Sequence, residues 1–282
     1  MKPKKVLLSL VLSSLLCTQL YSDEVEIGAK EFVAHSLDKI KSDSLKYSNI
    51  QMHHRIKVPG AKDLTGVIMR FTLETKDQFG MYFPTEKFDS FFVTPKGIPV
   101  TQAFDTNGTN LMSRIVPSFD KSIYYDKKRL LAGDSNATHK IMVFSDPLCP
   151  FCREQVPDLM DLINEYPKEY AIYLFDYPLL NLHPGSGLII AAKLQARDAG
   201  VDISKKIYSD KRLLTLTKTM DSQKVAKVIE EITGFKIDHT SLKKKYLDEM
   251  AKEMELGRYL GVSGTPEVFI DNIKTSMDAF LR

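Results

Sequence analysis

The chain carries two cysteines at close spacing, Cys149 and Cys152, with Pro150 and Phe151 between them. Two thiols three residues apart lie about one helical turn from each other and can open and close a disulfide. A disulfide across so short a loop stabilises a fold little. The pair therefore predicts thiol–disulfide exchange and not a structural cross-link.

A zinc site is the alternative use of such a pair. A closed zinc site needs four ligands, but the third cysteine of the chain, Cys17, stands alone near the N-terminus. His139 lies ten residues before the pair and His183 thirty-one residues after it, and neither spacing is typical of zinc ligands. We therefore expect no metal, and no cofactor beyond a redox-active Cys149–Cys152 disulfide.

The residues around the pair predict that it opens a helix. Residues 141–144 form a short apolar run typical of a buried strand, and residues 153–165 are amphipathic. Pro150 suits the first helical position, where no N–H is needed. The exposed N–H groups and the dipole at a helix start favour a thiolate. Cys149 is therefore the predicted attacking thiol, and Cys152 is the resolving thiol shielded behind it.

The rest of the sequence predicts two units and a connector. Residues up to about 110 begin with one helical pattern, which several short β-prone runs follow, and this order indicates a small α+β unit. A helical pattern from residue 118 to Gly133 indicates a connector helix. Strands are predicted at 170–175 and 267–270, with several helices inserted over about 185–258. The predicted core face of the first helix consists of Ile27, Phe32, Val33, Leu37 and Ile40.

The N-terminus predicts export. Lys2, Lys4 and Lys5 precede an apolar run over residues 6–16, which has the length of a signal-peptide core and is too short to span a bilayer. We expect a cleaved signal peptide at 1–22; lipidation of Cys17 and a retained anchor helix are the alternatives. These lysines account for the whole formal charge of +3. A neutral mature chain without a basic block argues against nucleic acid as a partner.

The sequence resembles the DsbC/DsbG group of periplasmic thiol:disulfide interchange proteins, which belong to the DsbA-like thioredoxin-fold superfamily. The resemblance is carried by Ser145-Asp146-Pro147-Leu148, by the Cys-Pro-Phe-Cys motif that follows, and by Gly261-Val262-Ser263-Gly264-Thr265-Pro266 before a strand. It implies an α/β thioredoxin fold with a helical insertion, preceded by a cystatin-like α+β dimerisation domain and a connector helix. The implied boundaries are 23–112, 113–138 and 139–282.

The resemblance also implies roles for individual residues. Thr265 and Pro266 would be joined by a cis peptide bond and would bind substrate beside the disulfide, with Asp146, Pro150 and Phe151 supporting the site. Val143 stands where thioredoxins and DsbA oxidases carry a buried acid. In lacking an acid at this position, the chain resembles the DsbC group. Only sixteen residues follow Pro266, so either the last helix, around 277–281, is very short or the terminus is abbreviated relative to the family.

Three functions remain open at this level. The first is a periplasmic disulfide isomerase and chaperone, a homodimer acting on unfolded or misdisulfided exported proteins with a DsbD-like or DsbB-like membrane redox partner. The second is a dithiol oxidase that donates its disulfide. The third is a mainly non-enzymatic dimeric chaperone. The same two cysteines serve either direction of exchange, because direction depends on reduction potential and on the redox partner.

Overall fold

The structure, a computed structural model, describes residues 24–76, 80–240 and 244–276. The chain divides into two compact units between Pro117 and Ser118. The predicted signal peptide at 1–22 and the predicted final helix at 277–281 lie outside the described residues. Within the described ranges, every helix is too short or too polar to cross a bilayer.

The first unit packs one helix on an antiparallel sheet. Helix α1, residues 24–38, buries Val25, Ala29, Val33 and Leu37, which lie four residues apart along one line. Ile27 and Ile40 of the predicted core face are instead 54% and 56% exposed. Ile27 points away from that line, and Ile40 follows the end of the helix. The strands, in the spatial order β1-β2-β3-β4, are Leu45–Ile56, Thr65–Lys76, Tyr82–Val93 and Pro99–Val100.

Both faces of this sheet are covered. Val67, Met69 and Phe71 of the central strand β2 pack against α1, while Ile68 packs into a second cluster on the other face. Successive side chains of a strand point to opposite faces, so β2 contributes to both clusters. This unit therefore has a hydrophobic core of its own, and its α+β class is the one that the sequence predicts.

The connector helix predicted over 113–138 does not form. Short helical turns take its place, and β5 (Leu130–Gly133) follows them. The side chains of Asp120 and Asp126 each accept a hydrogen bond from the main-chain N–H two residues later, so each aspartate caps a new turn. The turns cover Met112–Arg114, Lys121–Tyr124 (α2) and Lys127–Arg129.

The second unit contains a five-stranded sheet in the order β5-β7-β6-β8-β9. β6 and β7 are parallel and are connected through helix α3, whereas β8 pairs antiparallel with β6. The predicted helical insertion lies between β7 and β8. The remaining elements are β6 His139–Ser145, α3 Pro150–Glu165, β7 Tyr170–Asp176, α4 Ser186–Asp198, α5 Ser204–Ser209, α6 Ser222–Thr233, α7 Lys244–Leu260, β8 Glu267–Ile270 and β9 Ile273–Thr275.

The central strand β6 fixes the position of the cysteines. Residues Ile141, Met142, Val143 and Phe144 are fully buried, as expected of a strand covered on both faces. The apolar face of α3 packs against this strand in the cluster that also contains both cysteines. The chain leaves β6 at its carboxyl end and enters α3 within five residues, which places Cys149 at that edge of the sheet.

Candidate active site

Cys149 is the N-cap residue of α3, and Pro150 occupies the first helical position. Both cysteines are free thiols. Cys149 is 4% exposed and Cys152 is not exposed, so their order is the predicted one. Cys149 is nevertheless more enclosed than its place at a helix start suggests, because its Sγ lies 3.3 Å from the carbonyl oxygen of Thr265. Phe151, between the cysteines, is 63% exposed.

The two sulfurs differ in acidity. The Cys152 thiol is the largest cause that lowers the pKa of Cys149, to about 5, although burial acts in the opposite direction. The main-chain N–H groups of Cys152 and Phe151 and the Thr265 side chain also favour the thiolate. Burial raises the pKa of Cys152 far above its usual value, and Cys149 raises it further. At neutral pH, Cys149 is therefore the ionised sulfur and Cys152 the protonated one.

The peptide bond between Thr265 and Pro266 is cis, as predicted. These residues follow the chain reversal at Gly261 and precede β8, the antiparallel neighbour of β6. The loop before β8 thus reaches the start of α3, although more than one hundred residues separate the two in sequence. Tertiary structure brings Thr265 to Cys149.

Asp146 connects two loops at this edge of the sheet. It is fully buried, and its main-chain oxygen accepts a hydrogen bond from Cys149 N at 3.1 Å. Its carboxylate accepts hydrogen bonds both from the turn that carries Cys149 and from the segment after β7, so it links the two. The partners of the carboxylate are Leu148 N at 2.8 Å, Leu179 N at 2.8 Å, Ser186 Oγ at 2.5 Å and His183 Nδ1 at 3.0 Å.

Sequence reasoning considered His183 only as a metal ligand and missed its place here. The His183 side chain is 15% exposed. The hydrogen bond with Asp146 is the main cause that raises the pKa of His183, and the charge of Cys149 adds to it, while burial and Lys218 act against it. One signal was available: His183 follows the parallel strand next to β6, and the carboxyl ends of parallel strands meet at one edge of a sheet.

A glycine holds the His183 loop in place. A Cβ atom at Gly185 would lie 1.9 Å from the carbonyl oxygen of Leu216. The loop that contains His183 therefore packs directly against the backbone at the end of the 3-10 turn Lys211–Leu216, and a side chain at position 185 would prevent this close approach.

Ser145 and Tyr208 are two further residues that the sequence did not single out. Ser145 is the last residue of β6, and Tyr208 lies on α5 of the insertion. Both are fully buried, and Tyr208 belongs to the same apolar cluster as both cysteines. Periodicity gives no signal for either residue, because a serine at a strand end and a tyrosine in a short helix are ordinary in any fold. Within the described ranges, no group of three or more His, Cys, Asp or Glu side chains is arranged to hold a metal ion.

A dithiol at the start of a helix between two parallel strands, faced by a cis X-Pro bond, defines a thioredoxin-fold protein. A family model described as Thioredoxin matches residues 126–279, more than half of the chain. The chain belongs to this thioredoxin family. No curated protein matches it.

Several solved structures are similar to the chain. A periplasmic thioredoxin-like protein from Salmonella enterica serovar Typhimurium is 17% identical, with a TM-score of 0.47 over 58% of this chain and 94% of that one. A linker-deletion variant of Proteus mirabilis ScsC is 20% identical, with a TM-score of 0.45 over 56% and 74%. The thiol-disulfide exchange protein alpha-DsbA2 from Wolbachia pipientis is 20% identical, with a TM-score of 0.44 over 57% and 87%. The fold assignment rests on the family match and on the strand order.

Proposed function

We propose that the protein is a thiol–disulfide oxidoreductase of the disulfide isomerase and chaperone type, with Cys149 as the attacking thiol and Cys152 as the resolving thiol. The difference in acidity between the two sulfurs supports the oxidoreductase activity, and the sequence resemblance supports the isomerase and chaperone type. Cys149 has a pKa lowered to about 5 beside the Thr265 carbonyl, whereas Cys152 is buried and protonated. Two thiols with only a structural role do not require such a difference in pKa.

The chemistry follows from this difference in acidity. The Cys149 thiolate attacks a substrate disulfide, which forms a mixed disulfide and releases one substrate sulfur as a thiolate. That thiolate can attack another disulfide of the substrate, and a later attack on the mixed disulfide frees Cys149. The substrate disulfides are then rearranged without net electron transfer. Alternatively, Cys152 attacks Cys149, so that the substrate leaves reduced by two electrons and the enzyme is oxidised by two.

We assign substrate binding to the loop that contains Thr265 and Pro266. The Thr265 carbonyl already lies against the reactive sulfur, so a substrate strand beside this loop would bring its disulfide to Cys149. Phe151 offers the substrate an exposed apolar side chain next to the same sulfur. Asp146 and Pro150 support the site by fixing the turn and the helix start.

Trapping of the mixed disulfide tests these roles. Cys152→Ser should accumulate covalent complexes with a disulfide-containing peptide, because the resolving sulfur is absent. Cys149→Ser is the matched control and should form none. Complexes with Cys149→Ser and none with Cys152→Ser would contradict the assignment.

A dithiol oxidase is the second candidate, and the acidity of Cys149 favours it. A stabilised thiolate favours the reduced pair, which makes the disulfide form a stronger oxidant. Thiol alkylation of the protein as it is isolated from cells separates the two. A mostly reduced pair supports the isomerase, and a mostly oxidised pair supports the oxidase.

We further propose that the mature protein acts in the periplasm as a homodimer formed through the first unit. The N-terminal lysines and apolar run support export, and the first unit has its own core but no cysteine after residue 22. A DsbD-like or DsbB-like membrane protein would restore its redox state. Sedimentation of the mature chain as a monomer would contradict the dimer. Full chaperone activity in a Cys149→Ser, Cys152→Ser protein, without disulfide exchange, would favour a non-enzymatic chaperone.

A further inference from the structure

The resolving step poses a problem that the two cysteines do not solve by themselves. Cys152 must lose its proton to attack the mixed disulfide at Cys149, but Cys152 is fully buried and burial opposes its ionisation. A negative charge that develops at a buried sulfur requires nearby hydrogen-bond donors. Cys152 has this difficulty only as the resolving thiol, the role that the proposed function gives it.

Two buried hydroxyl groups lie in this region, those of Ser145 and Tyr208. The Ser145 hydroxyl interacts with both Cys152 and Tyr208, and in each case it favours the ionised form. Neither Ser145 Oγ nor Tyr208 OH makes a hydrogen bond of ordinary geometry to any described residue. Tyr208 shares an apolar cluster with Cys152, and a buried donor without a partner costs free energy, so these two donors favour an acceptor in this region. A thiolate at Cys152 is an acceptor for them.

The position of Tyr208 is fixed by the residue next to Cys152. Arg153 donates hydrogen bonds to the carbonyl oxygens of Ile207 at 2.8 Å and Asp210 at 2.6 Å, on either side of Tyr208. Its guanidinium also bonds to the carbonyl oxygen of Pro147 at 3.0 Å. Arg153 thus clamps α5 to the first turn of α3. The clamp brings a tyrosine of the insertion into the cysteine cluster, while most of the insertion packs in a separate core.

We propose that Ser145 and Tyr208 stabilise Cys152 as a thiolate while it resolves the mixed disulfide. As Cys152 loses its proton, the two hydroxyls donate hydrogen bonds to its sulfur. The Cys152–Cys149 bond forms, the bond from Cys149 to the substrate sulfur breaks, and the substrate leaves as a thiol that takes up the proton. Two electrons pass from the enzyme to the substrate, so no other oxidant or reductant is needed.

The surroundings of Tyr208 assign it the role of donor and not of base. Besides Cys152 and Ser145, it faces the carboxyl groups of Asp176 on β7 and Asp146 before α3. Burial is the largest cause that keeps the pKa of Tyr208 well above its usual value, and these negative charges add to it. The phenol therefore keeps its proton throughout the reaction. Cys149 is the other titratable group that acts on Cys152.

The test uses the mature full-length protein and two variants, Tyr208→Phe and Ser145→Ala. Tyr173→Phe is the matched control, because Tyr173 is equally buried in the same unit but lies on β7. The reduced proteins react with oxidised glutathione, and quenching followed by mass spectrometry gives the decay rate of the Cys149–glutathione disulfide at several pH values.

Each variant should resolve the mixed disulfide about tenfold more slowly, the effect expected of one lost hydrogen bond to an anion. The pH at which resolution reaches half its maximal rate should rise, while alkylation of Cys149 and the control variant stay at the wild-type level. Wild-type resolution in the variants would overturn the inference and leave the proposed function intact. If one variant does not fold, the other decides, because the two act from different elements. A wild-type protein that forms no mixed disulfide would instead refute the proposed function.

Discussion

Replacement of Cys152 by Ala should make Cys149 a weaker acid. The Cys152 thiol is the largest cause of the lowered Cys149 pKa, so its removal takes away the strongest hydrogen bond to the thiolate. A hydrogen bond to a charged group contributes about 1.5 to 3 kcal/mol, and one pH unit of pKa corresponds to about 1.4 kcal/mol. The Cys149 pKa should therefore rise from about 5 to between ~6 and ~7.

The Cys149 pKa should nevertheless stay below the ~8.5 of a free cysteine. The main-chain N–H groups at positions 151 and 152 and the Thr265 side chain remain in place in the variant. Cys152→Ser is the matched control, because its hydroxyl is still a donor and should preserve most of the effect.

The assay is the pH dependence of the rate at which iodoacetamide alkylates Cys149, checked by the ultraviolet absorbance of the thiolate. Cys152→Ala should reach half its maximal rate at a higher pH than both wild type and Cys152→Ser. If both variants titrate together near the wild-type value, the helix start and Thr265 alone set the acidity of Cys149, and the reasoning from the second thiol is wrong.

Three further substitutions test two other residues of the site and one buried carboxyl group elsewhere in the second unit. Thr265→Val keeps the shape of the side chain but removes a hydroxyl group that favours the Cys149 thiolate. The Cys149 pKa should rise, by less than in Cys152→Ala, and the equilibrium with glutathione should shift towards the Cys149–Cys152 disulfide. An unchanged equilibrium would contradict this role of Thr265. His183→Gln removes a positive charge beside Cys149 and should slow alkylation several-fold at acidic pH, with the variant and wild type converging above the raised pKa of His183; a constant ratio at all pH values would contradict this. Glu253 is buried on α7. Burial raises its pKa from 4.5 to about 7, so between these pH values the folded protein keeps a proton that the unfolded chain has released. The free energy of unfolding should therefore fall as pH rises from about 4.5 to about 7. Denaturant titrations at several pH values should show that the free energy of unfolding of Glu253→Gln depends less on pH in this range than that of the wild type; equal dependence would contradict the prediction.

Local sequence patterns were sufficient to predict the strands and the helix that carry the site. An apolar run, a proline at the first helical position and an amphipathic segment predicted β6 and α3, and β8 has the predicted bounds. The cis bond before Pro266 was predicted from the motif resemblance and is present. The strand and helix predictions depend on residues close together in sequence, whereas the cis bond was predicted only by combining Thr265-Pro266 with the distant Cys149–Cys152 motif.

Local patterns failed where a segment has two possible uses. Leu130 and Leu131 fit a helical period, but they lie in β5, which pairs with β7, and the connector helix is absent. Whether this segment forms a helix or a strand depends on the neighbouring strand β7, with which it pairs. Because β7 lies much further along the chain, a local sequence pattern does not include it.

The sequence by itself determined that two thiols open a helix and that one of them is placed to react. Only the tertiary structure decided what surrounds each sulfur. His183 and Tyr208 lie 34 and 59 residues after Cys149 and belong to different elements. They reach the site because parallel strands end at one edge of the sheet and because Arg153 clamps α5 to α3. The acidity of a buried thiol depends on the donors and charges around it, and those are set by how the chain returns on itself and not by spacing along it.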